Sequence, residues 1–105
     1  MTLGVARLLA VLVDEPAQWR YGLYLIRVTG QPSGVLYPML TRLLDADWLE
    51  ARWEDIDPVA QARPARRYYR LTPDGLAMAR HELAALSSKL SPNRSAGTAP
   101  SSVGA

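Results

Sequence analysis

Two groups of residues in this chain have the types and spacing for chemistry. Ser33, Tyr37 and Thr41 recur every four positions, and Arg63, Arg66, Arg67 and Arg70 fall within eight residues. Hydroxyls lined up on one side of a helix can bind phosphate oxygens, and clustered guanidiniums attract polyanions. Charge alone leaves two readings of the Arg cluster. It is either an anion-binding patch, for which nucleic acid is the commonest partner, or a solvated loop in a chain whose cations are eleven Arg and one Lys.

Other chemistries lack raw material. Without a cysteine there is no disulfide, thiolate metal site or cysteine nucleophile. His81 stands alone in a polar stretch, where a surface role is expected rather than a general base or metal ligand. No Gly-rich phosphate loop is present. The chain is therefore expected not to be an enzyme, and to hold neither metal nor cofactor.

Charge is unevenly placed. Residues 1–57 carry five Arg against eight acids, a balance of −3, while residues 58–105 carry seven cations against Asp74 and Glu82, a balance of +5. The 105 residues suffice for one domain with a modest core. No apolar run approaches the ~20 residues of a membrane span. The apolar N-terminus has no small-residue cleavage site after it, so a core helix is expected there, in a cytoplasmic protein.

The elements that would position these groups follow from period and punctuation. Thr2 can cap a first helix bearing Val5, Leu8, Leu9, Leu12 and Val13, ended by Asp14-Glu15-Pro16. Residues 19–28 read as a short buried helix, stopped by Gly30 and Pro32. Ser33 is the expected N-cap of a third helix, 33–46, whose apolar face is Leu36, Met39, Leu40, Leu43 and Leu44. Asp47 must turn the chain, and its tolerance of the left-handed region suits it to that. Residues 48–54 then alternate, with Leu49, Ala51 and Trp53 on one face, as do residues 66–71. The segment 55–65 between them reads as a wing loop. Thr72-Pro73-Asp74 is a helix start, and Leu76, Ala79, Leu83, Leu86 and Leu90 follow at heptad spacing. That seam serves either self-association, the reading preferred here, or packing on its own domain. Residues 92–105, rich in Gly, Pro, Ser and Ala, are expected to be disordered.

Three helices, two strands joined by a basic loop and a last helix make a mainly α (α+β) fold. It is a winged helix-turn-helix with a two-stranded β wing, comprising a DNA-binding domain (1–71), a dimerisation helix (72–91) and a tail (92–105). The N-terminal part of the third helix would approach bases and phosphates. The residues expected to meet DNA are Gln31, Ser33, Gly34, Tyr37, Pro38, Thr41 and Arg42, with Arg63, Arg66 and Arg67 from the wing. Arg42 alone on that helix face is able to read guanine, or else it contacts backbone. Tyr37 has a second reading as a packing aromatic. Trp19, Trp48 and Trp53 are expected in the core or an interface, and Arg70 in an ion pair.

The stretch "TGQPSGVLYPMLTRLLDADWLEARWE", followed by "RPARRYYRLTPDG", resembles the PadR family of bacterial transcriptional regulators. The matching residues are Ser33-Gly34, Leu36-Tyr37-Pro38, Leu40, Arg42-Leu43, Leu49, Arg52-Trp53, Tyr69-Arg70-Leu71-Thr72 and Gly75. The resemblance spans about residues 3–90 and is to the shorter subfamily. It implies a homodimeric repressor on double-stranded DNA with a palindromic operator, dimerised through the C-terminal helix. Relatives that bind flat aromatic drugs use a Trp in the last helix, and this chain has none there. The alternative is a winged-helix protein-interaction module without its own operator. A small-molecule inducer, the target genes and the sign of regulation leave no readable trace.

Overall fold

A computed structural model describes residues 1–90 of the chain. Helix α1, Leu3–Asp14, starts where Thr2 Oγ1 accepts the Val5 amide at 3.2 Å, satisfying one of the free first-turn donors. It buries Leu8, Leu9 and Leu12. Strand β1, Arg20–Tyr21, leads directly into α2, Gly22–Thr29. The expected helix over 19–28 is thus corrected at its start. Two residues there pair antiparallel with a later strand, Arg20 opposite Tyr69 and Tyr21 opposite Tyr68. Gly30 ends α2 in the left-handed region, at φ 71°, as its type allows.

Helix α3, Ser33–Asp45, buries Leu36, Met39 and Leu40. Its N-cap is Pro32 rather than Ser33, because the Pro32 carbonyl accepts the amides of both Val35 and Leu36, at 3.0 and 2.9 Å. Pro38 sits inside the helix, where it removes only the bond to the Gly34 carbonyl, which is left at an exposed position. Asp47, at φ 61°, makes the expected turn into β2, Leu49–Trp53.

The stretch between the wing strands is not all loop. Asp57 caps one helical turn, α4 (Pro58–Gln61), which Ala62 closes at φ 55°. Strand β3, Arg67–Leu71, pairs antiparallel with both β1 and β2, giving the order β1-β3-β2. The sheet therefore has three strands, not the two expected. Leu49 opposite Leu71 and Ala51 opposite Tyr69 face the helices, whereas Glu50–Arg70 and Arg52–Tyr68 lie on the outer face.

Helix α5, Pro73–Leu90, opens at Thr72, whose Oγ1 accepts the Gly75 amide at 2.9 Å. The same hydroxyl donates to the Asp47 carbonyl at 2.8 Å, and the Thr72 amide donates to the Trp48 carbonyl at 3.0 Å. The core gathers Leu8, Leu9, Leu25, Leu36 and Leu40, all essentially without exposure, under Tyr69, Leu71 and Ala79. Burying each such Leu contributes about 1.5–3 kcal/mol.

Candidate nucleic-acid interface

The start of α3 is left open. No acid lies in its first turn and no side chain caps it. Among the described residues, the amides of Ser33 and Gly34 meet no protein acceptor. Free amides and an uncompensated helix dipole at one end form an anion-binding arrangement. Ser33, Gly34, Tyr37, Pro38, Thr41 and Arg42 are all exposed around it. A Cβ at Gly34 would project into empty space, so nothing in the protein requires glycine there. Tyr37 combines its two expected roles. Its ring covers Gly22, where any side chain would collide with it, yet the residue remains 43% exposed. Thr41 Oγ1 donates to the Tyr37 carbonyl at 3.1 Å, which leaves its lone pairs, not its proton, for a ligand.

Gln31, expected among the DNA contacts, is a correction. It is only 8% exposed, and its Nε2 donates to the Gly4 carbonyl at 2.9 Å. Its side chain ties the turn between α2 and α3 to the start of α1, which a lone turn residue in a sequence does not disclose.

The wing arginines have three different fates. Arg63 donates from both terminal nitrogens to the Glu54 carboxylate, at 2.7 and 2.9 Å, and Glu54 also accepts the Arg66 amide at 3.1 Å. The Arg63 hydrogen bonds hold the Glu54 carboxyl at about 2, well below its usual value, against the opposing effect of burial. A lowered carboxyl pKa contributes stability above its ordinary value of 4.5 and loses it as pH falls toward about 2, so the fork is intact at neutral pH. The Arg66 guanidinium lies 4.5 Å from the Tyr21 ring centroid, and that of Arg67 lies 5.6 Å from Trp53 and 5.8 Å from Tyr69. Among the described residues, Arg66 and Arg67 form no salt bridge, so their charges remain available. Arg70, as expected, has an acid partner, Glu50 at 3.1 Å.

Tyr21, Gly22, Leu23, Tyr37 and residues 63–67 enclose a cleft of about 350 Å³ between α3 and the base of the wing. It joins the hydroxyl stripe to the arginines. Tyr21 was not foreseen in this position, because only the pairing of β1 with β3 brings it there. The tip of the wing is different in kind. Residues 55–62 contain Asp55 and Asp57 but no Lys or Arg, and Val59 at the tip is 88% exposed.

The expected dimer seam divides along α5. Ala79 has 0% exposure and is spent inside its own chain, which removes it from the partner surface. Leu76 and Leu83 pack half-buried against the same core. Leu86 is half-buried and Leu90 is exposed, beyond the main body of that core. The tail reading for 92–105 lies outside the described residues. Among the described residues, no cluster of His, Cys, Asp or Glu could hold a metal ion, and no helix is long and apolar enough to cross a membrane.

The sequence profile of the transcriptional regulator PadR-like family matches residues 8–81. No curated protein matches. Solved structures share the fold, among them the following. The circadian clock associated protein Pex from Anabaena superposes with a TM-score of 0.61 at 22% identity, over 89% of this chain and 81% of its own. A Streptococcus transcriptional regulator gives 0.60 at 20% identity, over 90% and 98%. A PadR-like transcriptional regulator from Bacillus cereus gives 0.54 at 20% identity, over 82% and 85%.

Proposed function

The chain belongs to the PadR-like family of transcriptional regulators, DNA-binding proteins rather than enzymes, and from that premise we propose that it is a homodimeric cytoplasmic repressor of a palindromic operator. The observation that carries the reading is the bare N-terminus of α3 beside the arginine-lined cleft. In this reading the Ser33 and Gly34 amides and the Tyr37 hydroxyl take phosphate oxygens. Pro38, Thr41 and Arg42 face the major groove. Arg66 and Arg67 meet backbone at the flank, while Arg63 braces the wing through Glu54 rather than touching DNA itself.

Two copies joined through the outer part of α5, with Leu86 and Leu90 in the seam, would set their α3 helices about 34 Å apart in successive major grooves. The wing contributes through its base, because an acidic tip is repelled by phosphate. Residues 1–71 supply the DNA contacts and 72–91 the partner contacts.

The test is binding to the DNA upstream of its own gene between ~50 and ~200 mM salt, where counterion release should make log affinity fall linearly with log salt. A flat response removes the electrostatic basis of the reading. The acidic, Val59-tipped end of the wing favours the protein-interaction alternative. A hydroxyl-radical footprint with no protected palindrome would support that alternative instead.

A further inference from the structure

The outer face of the sheet carries a row of cations and rings. Arg66 lies over Tyr21, whose ring meets Tyr68 edge-on at 5.7 Å between centroids. Tyr68 is directly opposite Arg52 in the β2–β3 register. The guanidinium of Arg52 lies 4.5 Å from the Trp19 ring centroid, and that of Arg70 lies 4.3 Å from the same centroid. Glu50 neutralises Arg70, and Glu54 is held by Arg63. Among the described residues, that leaves Arg52 and Arg66 on this face as cations without a carboxylate.

A hydrophobic core does not need this arrangement. Arg52 is exposed, and two guanidiniums sharing one indole repel each other. What the stacking does is hold a long, flexible side chain in one place, so that little rotamer entropy remains to be lost when an anion arrives. The series also begins at the proposed interface, since Arg66 and Tyr21 line the cleft beside Tyr37.

We propose that the DNA-binding surface continues from the cleft onto the outer face of the sheet, where Arg52, set by Trp19, holds a backbone phosphate of duplex DNA flanking the operator. The proposal rests on the repressor reading above, and it adds a phosphate site beyond the helix and the wing base. Its partner is chosen by continuity and charge. The face adjoins the proposed phosphate site, and its free groups are guanidiniums, which bind phosphate oxygens in pairs.

The experiment compares two duplexes of the protein's own upstream DNA, one trimmed to the footprinted core and one extended by ~10 bp on each side, about one helical turn. Arg52→Ala should weaken binding to the extended duplex roughly tenfold. It should also lower the salt slope by about 0.9 for each phosphate no longer neutralised, so about 1.8 per dimer. Binding to the trimmed duplex should be unchanged. Arg52→Gln, which keeps a long side chain without the charge, should behave the same way, and unaltered melting of both variants shows that the fold is intact.

Equal losses on the two duplexes would overturn the proposal, because Arg52 would then act on the core site. No loss on either duplex would also overturn it and leave the face to an acidic protein. Tyr37→Ala separates the two levels of failure. If it weakens binding to both duplexes while Arg52→Ala weakens neither, only the flanking phosphate site is refuted; if the wild type binds neither duplex, the repressor reading itself has failed.

Discussion

Helices α3 and α5 both begin with a glycine in their first turn, Gly34 and Gly75, and the surroundings of the two are opposite. At α5 the start is closed. Thr72 Oγ1 takes the Gly75 amide, Asp74 lies where the helix dipole favours an acid, and a methyl at Gly75 would strike the Trp48 backbone carbonyl. At α3 the start is open. Pro32 supplies only its carbonyl, no acid is near, and a methyl at Gly34 would touch nothing. Gly75 is explained by the protein's own interior. Gly34 has no such steric reason inside the protein, and the close approach of a phosphate backbone in the proposed complex would supply one.

Substitutions that exchange the two environments test this contrast, and the largest effect belongs at the closed end. Gly75→Ala should lower stability by about 3 kcal/mol, the upper end for overpacking, because backbone cannot rotate away as a side chain does. Chemical denaturation reads the loss, and DNA affinity of the folded fraction should change by less than about twofold. Gly34→Ala should do the reverse. Stability should hold or rise by ~0.5 kcal/mol, since Ala is the better helix former, while DNA affinity in titration falls at least roughly tenfold, or about 1.4 kcal/mol. A Gly34→Ala protein that binds DNA normally would rule out a need for backbone closeness there.

Removing the cap at the closed end comes next. Thr72→Ala should cost about 1 kcal/mol in thermal or denaturant unfolding, with DNA affinity preserved. A similarly small gain in stability comes from closing the open end artificially. Ser33→Asp should stabilise α3 by about 0.3–1 kcal/mol at low salt by answering its dipole. It should still weaken DNA binding, because the carboxylate occupies and repels the place of the phosphate. A gain in stability with unchanged binding would mean that phosphate does not sit at this helix end.

Features made by a few neighbouring residues were legible in the sequence. Thr2 and Thr72 as caps, Gly30 and Asp47 in the left-handed region and the strand over 49–53 depend on local sterics and hydrogen bonds, and the structure shows each of them, although Trp53 ends the strand 65% exposed instead of joining Leu49 in the core. Features made by distant segments meeting were not. Arg20 and Tyr21 look helical within an apolar stretch, and only pairing with β3 makes them a strand. Gln31 has the composition of a polar turn residue until the start of α1 comes within reach of its amide. Ala79 fits a heptad as well as it fits a core, and the position of α1 and the sheet decides for the core. The same limit applied to the site. The open α3 face could be read from spacing, but the cleft under Tyr37 and the stacked outer sheet face exist only once β1 is in place.

The knot of hydrogen bonds at Thr72 has a mechanical consequence. One residue fastens the head of α5 to the carbonyls of Asp47 and Trp48, which lie where α3 hands over to β2, and Gly75 lets that helix seat against the same backbone. Helix α3, strand β2 and helix α5 therefore meet at one hydrogen-bonded junction. If two such chains are clasped through α5, the reach between their reading heads is adjusted at a single swivel, the crossing of the two α5 helices. In such a dimer, rotation there would be carried through this junction to the two α3 helices.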